Sequence, residues 1–223
     1  MTTRNTLEIC TDASTKEFPN KRVFGCAGAV CINTGESRYI ISQDTTNNRS
    51  ELIAIYTGIK LAEDIILANP GVYTDIKLYS DSQFGIFGLT KWMDSWLSKR
   101  DDKGVMYGSN NKPVKNQELF KAIITYLTTH NLRVRMLHQS GHVNCKNSNA
   151  LAEANKVFCA SNGFLLDVED IYKISKYNDI VDKESRRRLQ DIDPDQYPIA
   201  DYSGNYTIMC NYVIPNDYKY YVS

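Results

Sequence analysis

The sequence predicts an α/β fold, a mixed five-stranded sheet flanked by helices. Three observations carry this expectation. The chain opens with short β-branched, alternating segments joined by turn residues, as in an antiparallel meander. Strand-like segments then alternate with helical patterns, the arrangement that parallel pairing requires. Two acids, Asp12 and Asp81, fall at the carboxyl ends of strand-like segments, the crevice where α/β folds place ligands.

Leu7–Thr11 is apolar, alternating and β-branched, which predicts a strand ending at Asp12. Val23–Asn33 predicts a second strand, whose Gly25, Ala27, Gly28 and Ala29 would let a helix pack closely. Thr34-Gly35 forms a turn into a third strand, Ser37–Gln43. Over Arg49–Ala68 the apolar residues Leu52, Ile55, Ile59 and Ala62 share one helical face, and Asn69-Pro70-Gly71 stops the helix. Ile76–Ser80 is the fourth strand. Ser82–Leu89 and Lys91–Leu97 read as short helices around Gly88, followed by a polar loop, Lys99–Lys112. A helix from Asn116 to about Thr128, a fifth strand at Leu132–Leu137 and a helix at Asn149–Ala160, closed by Asn162-Gly163, complete the order.

Composition divides the chain. Residues 1–163 are expected to form the domain, and 164–223 an extension that partly folds onto it. The 26 basic and 26 acidic residues balance overall, but from Leu165 onward there are 11 acidic and 7 basic residues, leaving the first part mildly basic. That imbalance suits a polyanionic partner without proving one. The extension holds nine of the fifteen tyrosines, with strand character at Tyr206–Ile214 and some helical character at Asp167–Ser175. Six cysteines without metal or disulfide spacing point to reduced thiols. No signal-like or membrane-spanning stretch is evident, and no separate module is expected before the first strand. The expectation is a cytoplasmic monomer that does not engage membranes.

Asp12, Glu51 and Asp81 would be brought together by a strand, a helix and a second strand, with Glu153 as a fourth acid in an alanine-rich helix. Carboxylates gathered at one point repel unless a cation neutralises them. Hard oxygen donors favour a divalent ion, Mg²⁺ first, and two such ions can clamp a phosphodiester. The order of motifs is specific: Thr-Asp-Ala-Ser at 11–14, Thr-Thr-Asn-Asn-Arg-Ser-Glu-Leu at 45–52 and Tyr-Ser-Asp-Ser-Gln at 79–83. Lys-Pro-Val-Lys-Asn-Gln-Glu-Leu-Phe at 112–120 and Gly-His…Asn-Ala-Leu-Ala-Glu-Ala at 141–154 follow. From about Leu7 to Asn162 the chain thereby resembles type 1 ribonuclease H.

The resemblance implies the RNase H-like sheet and an endonuclease that cuts the RNA strand of an RNA/DNA hybrid. It also implies two Mg²⁺ ions per site, with Mn²⁺ as a substitute, and 3′-hydroxyl and 5′-phosphate products. Asp12 would bridge both ions, Glu51 and Asp81 would hold the leaving-group ion, and Glu153 would help hold the other. His142 would assist proton transfer or product release. Asn47, Asn48 and Gln83 would read 2′-hydroxyls and base edges, and Asn47-Asn48 also suit a helix cap. Thr46 and Asn116 would bind a phosphate of the DNA strand. Trp92 and Trp96 would line the DNA channel, although their helical spacing fits a core pair as well.

Three positions depart from the family. Glu153 stands where aspartate is usual, Ala13 stands where glycine is common, and the loop Arg100–Asn111 carries Asp101 and Asp102 in place of a basic segment. Two alternatives therefore stay open beside the hybrid-cutting reading. One is a catalytically weak or inactive module that binds hybrid or duplex RNA, and the other is a related nuclease with a different substrate.

Overall fold

The computed structural model describes residues 5–19, 21–195, 214 and 217–223. Five strands form one sheet: β1 (Thr6–Glu17), β2 (Val23–Cys31), β3 (Ser37–Gln43), β4 (Asp75–Ser80) and β5 (Val134–His138), in the order β3-β2-β1-β4-β5. The first three are antiparallel neighbours, whereas β4 pairs parallel with both β1 and β5. This is the mixed sheet that the sequence predicts.

β1 is longer than expected and continues through Asp12 to Glu17. Its pairing with β4 ends at Thr11↔Ser80, but its pairing with β2 runs on to Glu17↔Val23. Ala13, Ser14 and Thr15 carry little apolar signal, and the long partner strand keeps them extended. The sheet therefore opens just past Thr11. A crevice forms there, with Asp12 on one side and Asp81, following β4, on the other.

Helix α1 (Asn47–Ala68) covers one face, with Leu52, Ile55, Ile59 and Ala62 all fully buried. Gly58 permits the close approach, since a Cβ there would lie 2.6 Å from Thr11 Cγ2. The two short helices foreseen around Gly88 are α2 (Gln83–Phe87) and α3 (Met93–Ser98), joined by a π-helical turn at Gly88–Trp92. Helix α4 (Gln117–Thr129) shares the large core beneath α1.

Pleat alternation sends Ile9 to that core and Cys10 to a second one on the opposite face. Helix α5 (Ser148–Asn162), ended by Gly163 in the left-handed region at φ 85°, packs there against β5. Beside it, α6 (Val168–Gln190) lies across β1 and β2 and contributes Ile171, Ile174 and Val181 to the same core. The sequence suggests helix only over Asp167–Ser175, because Ser175, Asn178, Asp182 and Ser185 interrupt its apolar period while being buried. The strand reading of Tyr206–Ile214 lies, apart from Ile214, outside the described residues. The carboxyl-terminal residues cap the edge of β5, where Val134 and Met136 donate backbone hydrogen bonds to Tyr221 and Ser223.

Candidate active site

Asp12 on β1, Glu51 on α1 and Asp81 just after β4 converge so that one oxygen from each lies within 4.8 Å of the others. The Ala13 amide donates to Asp12 Oδ1 at 2.7 Å, and Asn178 Nδ2 lies 3.4 Å from both Asp12 Oδ2 and Asp81 Oδ2. Glu51 Oε2 is buried with no hydrogen-bond partner among the described residues. Burial, then the charge of Asp81, pushes Asp12 up to about 8. Burial, then the charges of Asp12 and Asp81, holds Glu51 well above the usual carboxylate range, and burial raises Asp81 as well. Three buried carboxylates with an orphaned oxygen fit a hard divalent cation, which would supply both the missing partner and the missing charge.

The fourth acid named from the sequence is not here. Glu153 sits on the solvent face of α5 with its side chain 68% exposed, paired with Lys156 at 2.6 Å. The cause is helical phase: α5 buries Leu151, Ala154 and Phe158, and position 153 points away from that stripe.

The remaining expected residues divide. Asn47, Asn48, Gln83 and His142 line the cavity above the acids, an open space of about 850 Å³. His142 adopts a left-handed backbone at φ 53°, and its loop lies tight against the acids. A Cβ on Gly141 would fall 2.1 Å from Asp81 Oδ2, so any larger residue there would displace that carboxylate. Thr46 caps α1 by accepting from the Arg49 amide, which leaves the Asn47 and Asn48 side chains free of that task. Asn116, left-handed at φ 55°, places Oδ1 3.5 Å from Arg49 Nη1, and Arg49 also pairs with Glu118. Thr46 thus bonds the backbone of Arg49 and Asn116 its guanidinium, and neither lines the cavity. The tryptophans split: Trp96 is buried against Phe120, and Trp92 is 39% exposed.

Sequence reasoning missed the α6 wall. Asp182, buried, shares the cavity with Asp12, Ser14, His142 and Arg186. Ser14 Oγ donates to its Oδ1 at 3.2 Å, Arg186 Nε lies 2.8 Å from that oxygen, and His142 Nδ1 is 3.6 Å from Oδ2. The available signal was the spacing of Asn178, Asp182 and Arg186, one helical turn apart on one face.

A family model described as RNase H matches residues 4–157, a span that ends before α6. The ribonuclease H of Actinobacillus pleuropneumoniae serotype 5b is 31% identical over 165 residues, covering 73% of this chain and 95% of that protein. The ribonuclease H of Mannheimia succiniciproducens is 34% identical over 143 residues, covering 62% and 80% respectively. A solved foamy viral protease–reverse transcriptase in complex with RNA/DNA hybrid aligns at a TM-score of 0.53 and 14% identity, over 81% of this chain and 19% of that one, and shares the fold. With its sheet order, its acidic crevice and a family match over most of its length, this chain belongs to the ribonuclease H family.

Proposed function

We propose that the protein hydrolyses the RNA strand of RNA/DNA hybrids, leaving a 3′-hydroxyl and a 5′-phosphate, with two Mg²⁺ ions held around Asp12, Glu51 and Asp81. The observation that carries this reading is the buried carboxylate triad with its unpartnered Glu51 oxygen at the head of a polar cavity. When bound, the ions supply a more acidic water and offset charge on the departing oxygen. Mn²⁺, with the same hard-oxygen preference, is expected to substitute.

The chain's own residues do the rest. Asp12, gathered with Glu51 and Asp81, would hold the ions together with them. His142, in the loop that Gly141 lets lie against Asp81, is placed to carry a proton to or from the cavity. Asn47, Asn48 and Gln83 present amides to the cavity, where 2′-hydroxyls and base edges of a wide minor groove would meet them. Thr46 and Asn116 each accept from Arg49, so the Thr46 hydroxyl and the Asn116 amide nitrogen can donate to a phosphate of the DNA strand. Trp92, the exposed member of its pair, suits the DNA channel. Among the described residues no helix is long and apolar enough to cross a membrane. The described cysteines are free thiols, consistent with a reducing, cytoplasmic setting, and the activity needs only a monomer.

The test is a cleavage assay in Mg²⁺ with hybrid, duplex DNA and duplex RNA of one sequence. Cleavage of the RNA strand of the hybrid alone is expected. Equal cleavage of duplex RNA would overturn the substrate assignment, and binding of hybrid without cleavage in either metal would make the protein a binding module.

A further inference from the structure

Helix α2, the π-helical turn and helix α3 form one continuous element. It starts at the cavity, where Gln83 and Phe84 line the wall, and carries Trp92 beyond it. Helices of five and six residues do not hold themselves, so the place of Trp92 depends on what grips the element. Its inner side is held by the core through Ile86, Leu89, Met93 and Trp96. Among the described residues, two polar ties reach it from distant parts of the chain. Lys91 Nζ donates to the Ser161 carbonyl at 2.8 Å. Asp94 is held at both oxygens: the Tyr218 hydroxyl donates to Oδ1 at 2.5 Å, and Lys219 pairs with Oδ2. Ser161, Tyr218 and Lys219 all lie after residue 157, where the family match ends.

The Asp94 tie is anchored firmly at its other end. Tyr218 and Val222 are buried in the core that also takes Met93 and Trp96. Val134 and Met136 on β5 donate to Tyr221 and Ser223, and the Ser223 amide donates back to Val134 at 3.3 Å. Beside them the Arg133 guanidinium lies 3.2 Å from the centre of the Tyr220 ring. Residues 218–223 therefore run parallel to β5 at its edge and present a phenol and an ammonium in succession to α3. The ammonium contributes little, because Lys219 and Asp94 are 63% and 55% exposed. The phenol differs: its ring is already fixed in the core, so it donates to a carboxylate without further loss of side-chain freedom.

We propose that residues 218–223 brace α3, with Asp94 as the catch, and thereby hold Trp92 in place for the DNA strand. The proposal rests on the hybrid-cutting reading above and gives the extension a task in it. Asp94 and Tyr218 are positioning residues, since neither lines the cavity. With the catch broken, α3 loosens and the hybrid must order it on binding. That cost is the same for the bound substrate and for the transition state, so it raises KM and leaves kcat.

The experiment uses the full chain and two readouts: amide hydrogen exchange without metal or nucleic acid, and hybrid cleavage in Mg²⁺. Tyr218→Phe keeps the ring in the core and removes one hydroxyl, so it tests the catch in a folded protein. Exchange at Met93–Ser98 should quicken at least about fivefold while that of α1 and β4 stays as in wild type. KM for hybrid should rise about fivefold with kcat within about twofold, the cost of ordering one side chain and its helix. Asp94→Ala should match Tyr218→Phe, and the double variant should be no worse than Asp94→Ala alone. Lys219→Ala should change either readout by less than about twofold. Unchanged exchange in α3 would overturn the brace, as would additive effects in the double variant. Exchange that quickens equally across α1, β4 and α3 would make Tyr218 a core residue only. A looser α3 with unchanged KM, or a lowered kcat in place of a raised KM, would refute its role in seating Trp92. A wild type that leaves hybrid uncut refutes the substrate reading alone, because exchange decides the catch without nucleic acid.

Discussion

Helices α5 and α6 both follow His142, and they reverse the relation between motif and position. α5 carries the letters that match the family, Asn149 and the Ala-Leu-Ala-Glu-Ala run, yet its acid faces solvent. α6 lies beyond the family-matched segment, yet its Asn178 and Asp182, spaced as Asn149 and Glu153 are, face the catalytic crevice. Phase explains the difference. In α5 the buried positions 151, 154 and 158 define a stripe that excludes 153, whereas in α6 positions 171, 174, 178, 181, 182, 185 and 189 form a stripe that contains both polar residues. An acid's access to a site is set by the face its neighbours bury, and a short motif does not report that face.

The largest expected effect breaks the centre that both helices flank. Asp12→Asn should lower Mg²⁺-dependent hybrid cleavage by about a thousandfold or more, because it removes the charge at the middle of the triad. It should also raise the melting temperature of the metal-free protein, since a buried carboxylate among carboxylates is a source of repulsion. Single-turnover cleavage and thermal unfolding in chelator check the two halves. An unstable variant with normal cleavage would contradict both.

The same residue sets a pH dependence. The ordinary carboxyl value of Asp12 is 3.8 and burial lifts it to about 8 in the folded state, so the folded chain binds its proton more tightly than the unfolded chain does. Its stabilising contribution is therefore full below about pH 4 and is lost as pH rises through about 8. Melting curves of the metal-free protein should show a falling contribution across that window. Saturating Mg²⁺ should reverse it by favouring the ionised form, with protons released on binding. The Asp12→Asn variant should have a flatter profile, and an identical slope in variant and wild type would remove Asp12 as the cause.

Much of this was legible from residues alone. The alternation in Leu7–Thr11 and the stripe Leu52, Ile55, Ile59, Ala62 specify which faces are buried, so Asp12 and Glu51 could be placed by periodicity. Asp81 follows because β4 must end where its apolar run ends. The continuation of β1 to Glu17 was not legible, since Ala13, Ser14 and Thr15 are held extended by pairing with β2, a nonlocal cause. Nor was most of α6, because its buried face mixes serine, asparagine and aspartate with isoleucine and valine. Such polar residues read as solvated until the partners Ser14, Gln139 and Asp81 are seen, and those lie far away in sequence.

Asn178 sharpens the comparison at intermediate scale. It is a positioning residue, touching Asp12 and Asp81 through one amide group. Asn178→Leu keeps the volume and removes both contacts, so it should weaken Mn²⁺ binding about tenfold, the worth of one or two charge-assisted hydrogen bonds. The KM for hybrid should be unchanged, because Asn178 lies beneath the acids rather than in the cavity that would receive the strand. A raised KM with normal metal affinity would move Asn178 to the substrate side.

The smallest effect belongs to α5. Glu153 and Lys156 are an exposed i,i+3 pair with side chains 68% and 70% accessible, and such pairs contribute about 0.2–0.5 kcal/mol at most. Alanine is the better helix former, which offsets part of that loss. Glu153→Ala should therefore melt within about a degree or two of wild type, bind the same two Mn²⁺ ions and cut hybrid within about twofold of the wild-type rate. Asp182→Asn, measured beside it, changes a carboxylate that lines the cavity with Asp12 and should weaken Mn²⁺ binding. If instead Glu153→Ala lost an ion and Asp182→Asn did not, α5 would have to rotate by roughly half a turn to bring position 153 inward. That would expose Leu151, Ala154 and Phe158, an apolar loss of several kcal/mol by about 1.5–3 kcal/mol per large side chain. The packing of α5 thus makes the pair of variants a direct reading of which helix completes the site.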